Sequence, residues 1–127
     1  MRILIDSHVL VWLLNDSRLL GPASRDLLES GVEVNVSLVS IWELGLKHMN
    51  GKLPITINEL IDGSEQLGLE MLALRPEHLL RYETVKLTHK DPFDTLLVAQ
   101  AEQEDCVFLT IDKNILASTY RTQNAAE

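Results

Sequence analysis

The chain has little cysteine, little positive charge and no long apolar run. Its one cysteine, Cys106, cannot close an intrachain disulfide, so no covalent staple is available and a reducing, cytoplasmic setting is the natural one. No apolar stretch reaches the roughly 18 residues that a membrane-spanning helix needs, so no membrane association is expected. The opening apolar run meets a charge at Asp6, too early for a signal peptide. Lys and Arg number 11 against 19 Asp and Glu, a formal net charge of −8. That balance argues against a protein that simply coats nucleic acid. It leaves room for an enzyme acting on nucleic acid, because a carboxylate metal site adds negative charge that bound cations later offset. The four histidines, His8, His48, His78 and His89, show no H-x-x-x-H spacing, which argues against zinc. Internal repeats, low-complexity runs and linkers are also missing.

What is present suits one globular domain over residues 1–127: 46% hydrophobic and 24% charged residues, with enough chain to bury a core. Short β-rich runs alternate with helical ones, which predicts an α/β fold on a mainly parallel sheet. Strands are expected at 2–5, 32–37, 69–74 and 107–111. Helices are expected at 9–14, 23–30, 38–50, 56–67 (opened by the capping box Thr56-Ile57-Asn58-Glu59), 76–84, 91–104 and 113–119. Residues 121–127 carry no clear element. Trp12, Leu13, Leu14 and Trp42 fall on early helices, where core packing is the default role.

The acids stand in a pattern. Asp6 ends the first strand and Asp112 the last one. Glu43 lies early in the helix after the second strand, and Asp91 and Asp94 open a later helix. In open α/β sheets, ligands bind beyond the carboxyl ends of the strands. Each acid also has a plain structural reading: Asp6 as a turn residue, Asp91 as the N-cap before Pro92, Asp112 as a cap, Glu43 as an i+4 partner of Lys47. Asp94 differs, because it leads the apolar row Leu97/Val98 and Ala101 and so needs a partner. Clustered carboxylates repel and lose hydration unless a cation compensates, and oxygen-only donors favour Mg²⁺, with Mn²⁺ as the alternative. Such a site suits phosphodiester hydrolysis. Lys86, His89 and Lys90 form a basic segment beside it, either a solvated loop or a contact for an RNA backbone.

Four segments in order resemble the PIN-domain family, and within it the VapC-like toxins. Leu4-Ile5-Asp6-Ser7-His8-Val9-Leu10-Val11-Trp12 is similar to its "LLDTHVLLW" opening. Val36-Ser37-Leu38-Val39-Ser40-Ile41-Trp42-Glu43-Leu44 is similar to "VSAASLWEI". His89-Lys90-Asp91-Pro92-Phe93-Asp94 with Leu96-Leu97-Val98-Ala99-Gln100-Ala101 resembles "HRDPFDRLLIAQA", and Leu109-Thr110-Ile111-Asp112 the closing "LVTAD". The resemblance implies a PIN-like three-layer α/β/α fold with a mainly parallel central sheet of four to five strands. It implies a Mg²⁺-dependent endoribonuclease, the toxin of a VapBC-type pair, that dimerises and is held inactive by a cognate antitoxin. It assigns Asp6, Glu43, Asp94 and Asp112 as catalytic metal ligands and Asp91 as an accessory one. Ser7 is assigned to support Asp6, and Thr110 to do likewise near Asp112.

The chain departs from the pattern in three places. Thr95 stands where an Arg is usual. Lys113-Asn114-Ile115-Leu116 replaces an Arg-x-Phe pattern. The tail Arg121–Glu127 lacks the apolar final strand. The competing functions are a PIN nuclease of RNA processing, a non-catalytic PIN-like interaction module, and a phosphoacceptor receiver domain. Retention of all four acids argues against the module. The segment Leu69–Leu74 has no acceptor Asp, which argues against the receiver.

Overall fold

The computed structural model describes residues 1–89 and 91–127. Lys90, part of the basic segment above, lies outside the described residues. The elements run β1 (Arg2–Ile5), α1 (Ser7–Leu14), α2 (Pro22–Glu29), β2 (Glu33–Ser37), α3 (Leu38–Met49), α4 (Ile57–Gln66), β3 (Glu70–Leu72), α5 (Pro76–Tyr82), α6 (Pro92–Gln103), β4 (Cys106–Thr110), α7 (Lys113–Leu116) and β5 (Thr122–Asn124). The sheet has five strands in the order β3-β2-β1-β4-β5, and every pairing is parallel.

Parallel strands need crossover helices, and those helices cover both faces of the sheet. β1 accordingly reads as an unbroken apolar run rather than an alternating one. Ile3 and Ile5 pack into one core with Val9, Val36, Leu44 and Leu60. Leu4 packs into the other with Val39, Leu97, Val98 and Phe108. The result is a three-layer α/β/α fold. Because the chain begins in the middle strand, β2 and β3 add on one side and β4 and β5 on the other. The order therefore reverses between β1 and β4, and a crevice opens at their carboxyl ends.

The last strand corrects the sequence reading. The tail does form β5, which pairs with β4 in the register Phe108–Thr122, Leu109–Gln123 and Thr110–Asn124. An edge strand is held by backbone groups and needs no apolar side chains. Phe108 N donates to Arg121 O at 2.9 Å and Ala125 N to Thr110 O at 2.9 Å. Ala125 is then fully buried, and Gly21 N donates to its carbonyl at 2.9 Å. A Cβ at Gly21 would lie 2.1 Å from the Glu127 carbonyl carbon, so this close approach requires glycine.

Several boundaries also shift. Helix α1 begins at Ser7 rather than 9, because Asp6 caps it through Val9 N. Helices α5 and α7 stop at Tyr82 and Leu116, earlier than the expected 84 and 119. β3 keeps only Glu70–Leu72 of the expected 69–74. Trp42 is not a core residue: it is 57% exposed, since the buried face of α3 is formed by Val39, Ser40, Ile41, Leu44 and Gly45.

A buried polar chain ties the layers together. Ser37 Oγ donates to Gln100 Oε1 at 2.5 Å, and Gln100 Nε2 meets His78 Nδ1 at 3.2 Å. Ser37, Gln100 and His78 are each fully buried. His78 Nδ1 also accepts from Arg75 N at 3.0 Å. That nitrogen is therefore the acceptor, and Nε2 carries the proton donated to Glu104 Oε2 at 2.9 Å. This hydrogen bond holds the Glu104 carboxyl below its ordinary range.

Candidate metal centre

Asp6, Glu43, Asp94 and Asp112 come from separate elements that end or begin in the crevice beyond β1 and β4. Asp6 follows β1 directly. It is buried, and its two oxygens are divided. Oδ1 caps α1 by accepting from Val9 N at 3.1 Å, and Oδ2 accepts from the Thr110 hydroxyl at 2.5 Å. Burial pushes the Asp6 carboxyl up, against the opposing pull of the Thr110 and Val9 hydrogen bonds. Asp112 caps α7 through Oδ1, which accepts from Ile115 N at 3.0 Å. Its own backbone N–H donates to Thr110 Oγ1 at 3.1 Å.

The supporting hydroxyls find partners other than those expected: Thr110 takes Asp6 as well as its place at Asp112, and Ser7 takes Glu43. Ser7 does not bond Asp6; its Oγ donates to Glu43 Oε1 at 2.6 Å. Glu43 is thus held by a hydroxyl from α1 rather than paired with Lys47 on its own helix. Thr110 reaches from the end of β4 to Asp6 and fixes the start of the turn into Asp112 as well. Sequence places Ser7 beside Asp6, but its position in the first turn of α1 aims it across at α3.

Asp91 is the N-cap of α6. Its Oδ1 accepts from Phe93 N at 2.8 Å and from Asp94 N at 3.1 Å. Asp94 stands in the first turn of the same helix, half-buried. Its carboxyl is pushed up to about 7, first by burial, then by the charges of Asp91, Asp112, Glu43 and Asp6. That shift measures how closely the acids converge: each of the other four raises the cost of ionising Asp94.

His89 also belongs to this site, which sequence analysis did not foresee. Its Nε2 lies 3.4 Å from Asp94 Oδ2 and 3.7 Å from Asp112 Oδ2. One side-chain atom from each of His89, Asp94 and Asp112 lies within 4.8 Å of the other two. The available signal was its place in the same motif, two residues before Asp91. An open groove lined by Tyr82, Lys86, Leu87, His89 and Thr95 runs up to this point. Trp42 packs edge-on against Phe93, with ring centroids 5.1 Å apart, and so links α3 to α6 beside Glu43 and Asp94.

The residues present fit a divalent cation. The donors are carboxylate oxygens, whose mutual repulsion leaves Asp94 hard to ionise, and a bound cation would relieve both penalties. Among the described residues, Asp94 and Asp112 come within reach of one ion, together with His89; Asp6 and Glu43 are not in that group, and with Asp91 they act on Asp94 as nearby charges.

A family model described as PIN domain matches residues 3–121. No curated protein sequence matches the chain. Among solved structures, it is similar to VapBC2 from Rickettsia felis bound to a DNA fragment from their promoter. That match has a TM-score of 0.72 at 14% identity and covers 98% of each chain. It is also similar to VapBC-1 from nontypeable Haemophilus influenzae, with a TM-score of 0.70 at 15% identity over 100% of each chain. FitAcB from Neisseria gonorrhoeae has a TM-score of 0.64 at 20% identity over 97% of each chain. At these identities the likeness is one of fold.

Proposed function

Because this chain belongs to the PIN-domain family, we propose that it is a Mg²⁺-dependent endoribonuclease, the toxin of a VapBC-type toxin–antitoxin pair. The observation that carries this reading is the convergence of acids beyond β1 and β4, where one side-chain atom each of Asp94, Asp112 and His89 lies within 4.8 Å of the other two and burial with four surrounding acids pushes the Asp94 carboxyl up. An arrangement so unfavourable by itself is a site built for a cation.

When bound, a divalent cation supplies Lewis acidity and orients water toward a phosphate. The chain's own residues do the rest. Asp6, Glu43, Asp94 and Asp112 would hold the cation, and Asp91 starts the helix that presents Asp94. Thr110 keeps Asp6 in place and Ser7 keeps Glu43 in place, so neither carboxylate must be ordered at the moment of reaction. Lys86, in the groove that leads to the acids, offers a positive charge to the RNA backbone, which the net charge of −8 otherwise repels.

The partner is a cognate antitoxin, consistent with the toxin–antitoxin complexes among the structural neighbours, one of them from Klebsiella pneumoniae. The chain acts as a homodimer in the cytoplasm. Among the described residues no helix is long and apolar enough to cross a membrane.

The test is to purify the chain without antitoxin and incubate it with total RNA in Mg²⁺, in EDTA, and as Asp6→Ala and Asp94→Asn variants. Discrete cleavage that needs Mg²⁺ and disappears in both variants supports the reading. Cleavage that survives EDTA, or none from folded protein, rejects it.

A further inference from the structure

We propose that His89 is itself a ligand of the cation site, its Nε2 joining Asp94 and Asp112, and that this nitrogen makes the site prefer Mn²⁺ to Mg²⁺. The inference rests on the cation-site reading above, adds a residue to it and puts Mn²⁺ ahead of the Mg²⁺ named there.

The geometry comes first. Nε2 lies 3.4 Å from Asp94 Oδ2 and 3.7 Å from Asp112 Oδ2. Neighbouring donors of an octahedral ion bound at about 2.1 Å lie about 3 Å apart, so small side-chain movements bring all three onto one ion. The other ring nitrogen, Nδ1, is buried and has no hydrogen-bond partner among the described residues. The polar contacts of the ring therefore all lie on the edge that faces the acids. The side chain is 37% exposed, and those of Asp94 and Asp112 are 25% and 27% exposed, so an ion from solvent can reach all three.

The chemistry points the same way. The crevice is already crowded with negative charge, and a further carboxylate would add to the repulsion. A neutral imidazole supplies a donor without adding charge. Magnesium favours oxygen donors strongly, whereas imidazole suits transition metals; manganese is the transition metal that shares magnesium's preference for carboxylates. One imidazole added to several carboxylates therefore moves the preference from Mg²⁺ toward Mn²⁺.

The alternative is that the ring merely fills the place of the cation and leaves when one arrives. The two readings separate in binding measurements that involve no RNA. Mn²⁺ and Mg²⁺ are titrated calorimetrically into the wild-type chain, His89→Ala and His89→Gln, with melting curves to show that each variant is folded. Electron spin-echo spectroscopy of the Mn²⁺-loaded proteins then reports directly bound nitrogen. As a ligand, His89 gives nitrogen modulation in the wild type and none in either variant. Its loss weakens Mn²⁺ by at least about tenfold and Mg²⁺ by clearly less. Mn²⁺ binding without nitrogen modulation, or binding that tightens in His89→Ala, overturns the proposal and leaves the carboxylate site standing. No Mn²⁺ binding by any of the folded proteins overturns both.

Discussion

The Thr110 hydroxyl donates to Asp6 Oδ2, the oxygen that Asp6 does not use in capping α1. One side chain at the end of β4 thereby holds the buried carboxylate at the end of β1, across the seam where the strand order reverses. Thr110→Val removes that donor and leaves a buried carboxylate oxygen without a partner, a loss of about 1.5–3 kcal/mol. Urea denaturation should show that loss, RNA cleavage should fall with it, and Thr110→Ser should recover both. Unchanged stability in Thr110→Val would contradict the role given to this hydrogen bond.

The Asp94 carboxyl titrates at about 7 in the folded chain, against an ordinary 3.8. Between those values the folded state holds a proton that the unfolded state has released, so stability falls as pH rises through that window. Asp6 shifts in the same direction. In EDTA the wild type should therefore melt lower at pH 8 than at pH 5. Asp94→Asn should melt higher than the wild type at pH 8 and show a shallower pH dependence. About 1 kcal/mol corresponds to roughly 3–6 °C in a domain of this size, within reach of a melting curve. Adding Mn²⁺ or Mg²⁺ at pH 8 should raise the wild type and leave Asp94→Asn nearly unmoved.

Gln100 joins Ser37 to His78 inside the protein. Gln100→Leu keeps the bulk but takes away the acceptor of the buried Ser37 hydroxyl, while His78 Nδ1 keeps its bond from Arg75 N, so one unmet buried donor should cost about 1–3 kcal/mol. Denaturant titration checks this. A neutral result would mean that the buried chain of hydrogen bonds adds nothing to stability.

Gly21→Ala forces a methyl group against the backbone of Glu127, at 2.1 Å from its carbonyl carbon. Backbone cannot step aside as a side chain can, so the tail must move. The expected outcome is a lower melting temperature with faster hydrogen exchange at Phe108 and Ala125, whose amides take part in the bonds between β4 and the tail. Exchange that stays slow at both amides would show that β5 tolerates the change.

Much of the frame was legible because burial leaves a mark on sequence. β1 and β4 are apolar runs, β2 alternates valines with polar residues, the helices between them carry apolar stripes, and an acid stands at or just past the ends of β1 and β4 that meet the crevice. Thr122–Asn124 left no such mark, since an edge strand of polar residues is held by its backbone. The partners of Ser7 and Thr110 were also hidden. Each hydroxyl lies beside one acid in sequence, but the helix turn at Ser7 and the adjacency of β1 and β4 send it elsewhere. His89 was read as part of a basic loop because nothing local tells that its ring reaches Asp94 and Asp112. Trp42 was assigned to the core by its chemistry, and the helical phase set by Ile41 and Leu44 turns it outward.

Three of the acids also begin helices: Asp6 starts α1, Asp91 starts α6 and Asp112 starts α7. Replacing any of them removes an N-cap, at about 1 kcal/mol, together with a charge from the crevice. Glu43 lies inside α3 and Asp94 within the first turn of α6, and neither is an N-cap. In cells selected to survive an unrestrained copy of this chain, full-length inactive proteins should therefore accumulate changes at Glu43 and Asp94. Changes at Asp6, Asp91 and Asp112 should instead surface as poorly accumulating protein, because there the chain is silenced partly by being unfolded.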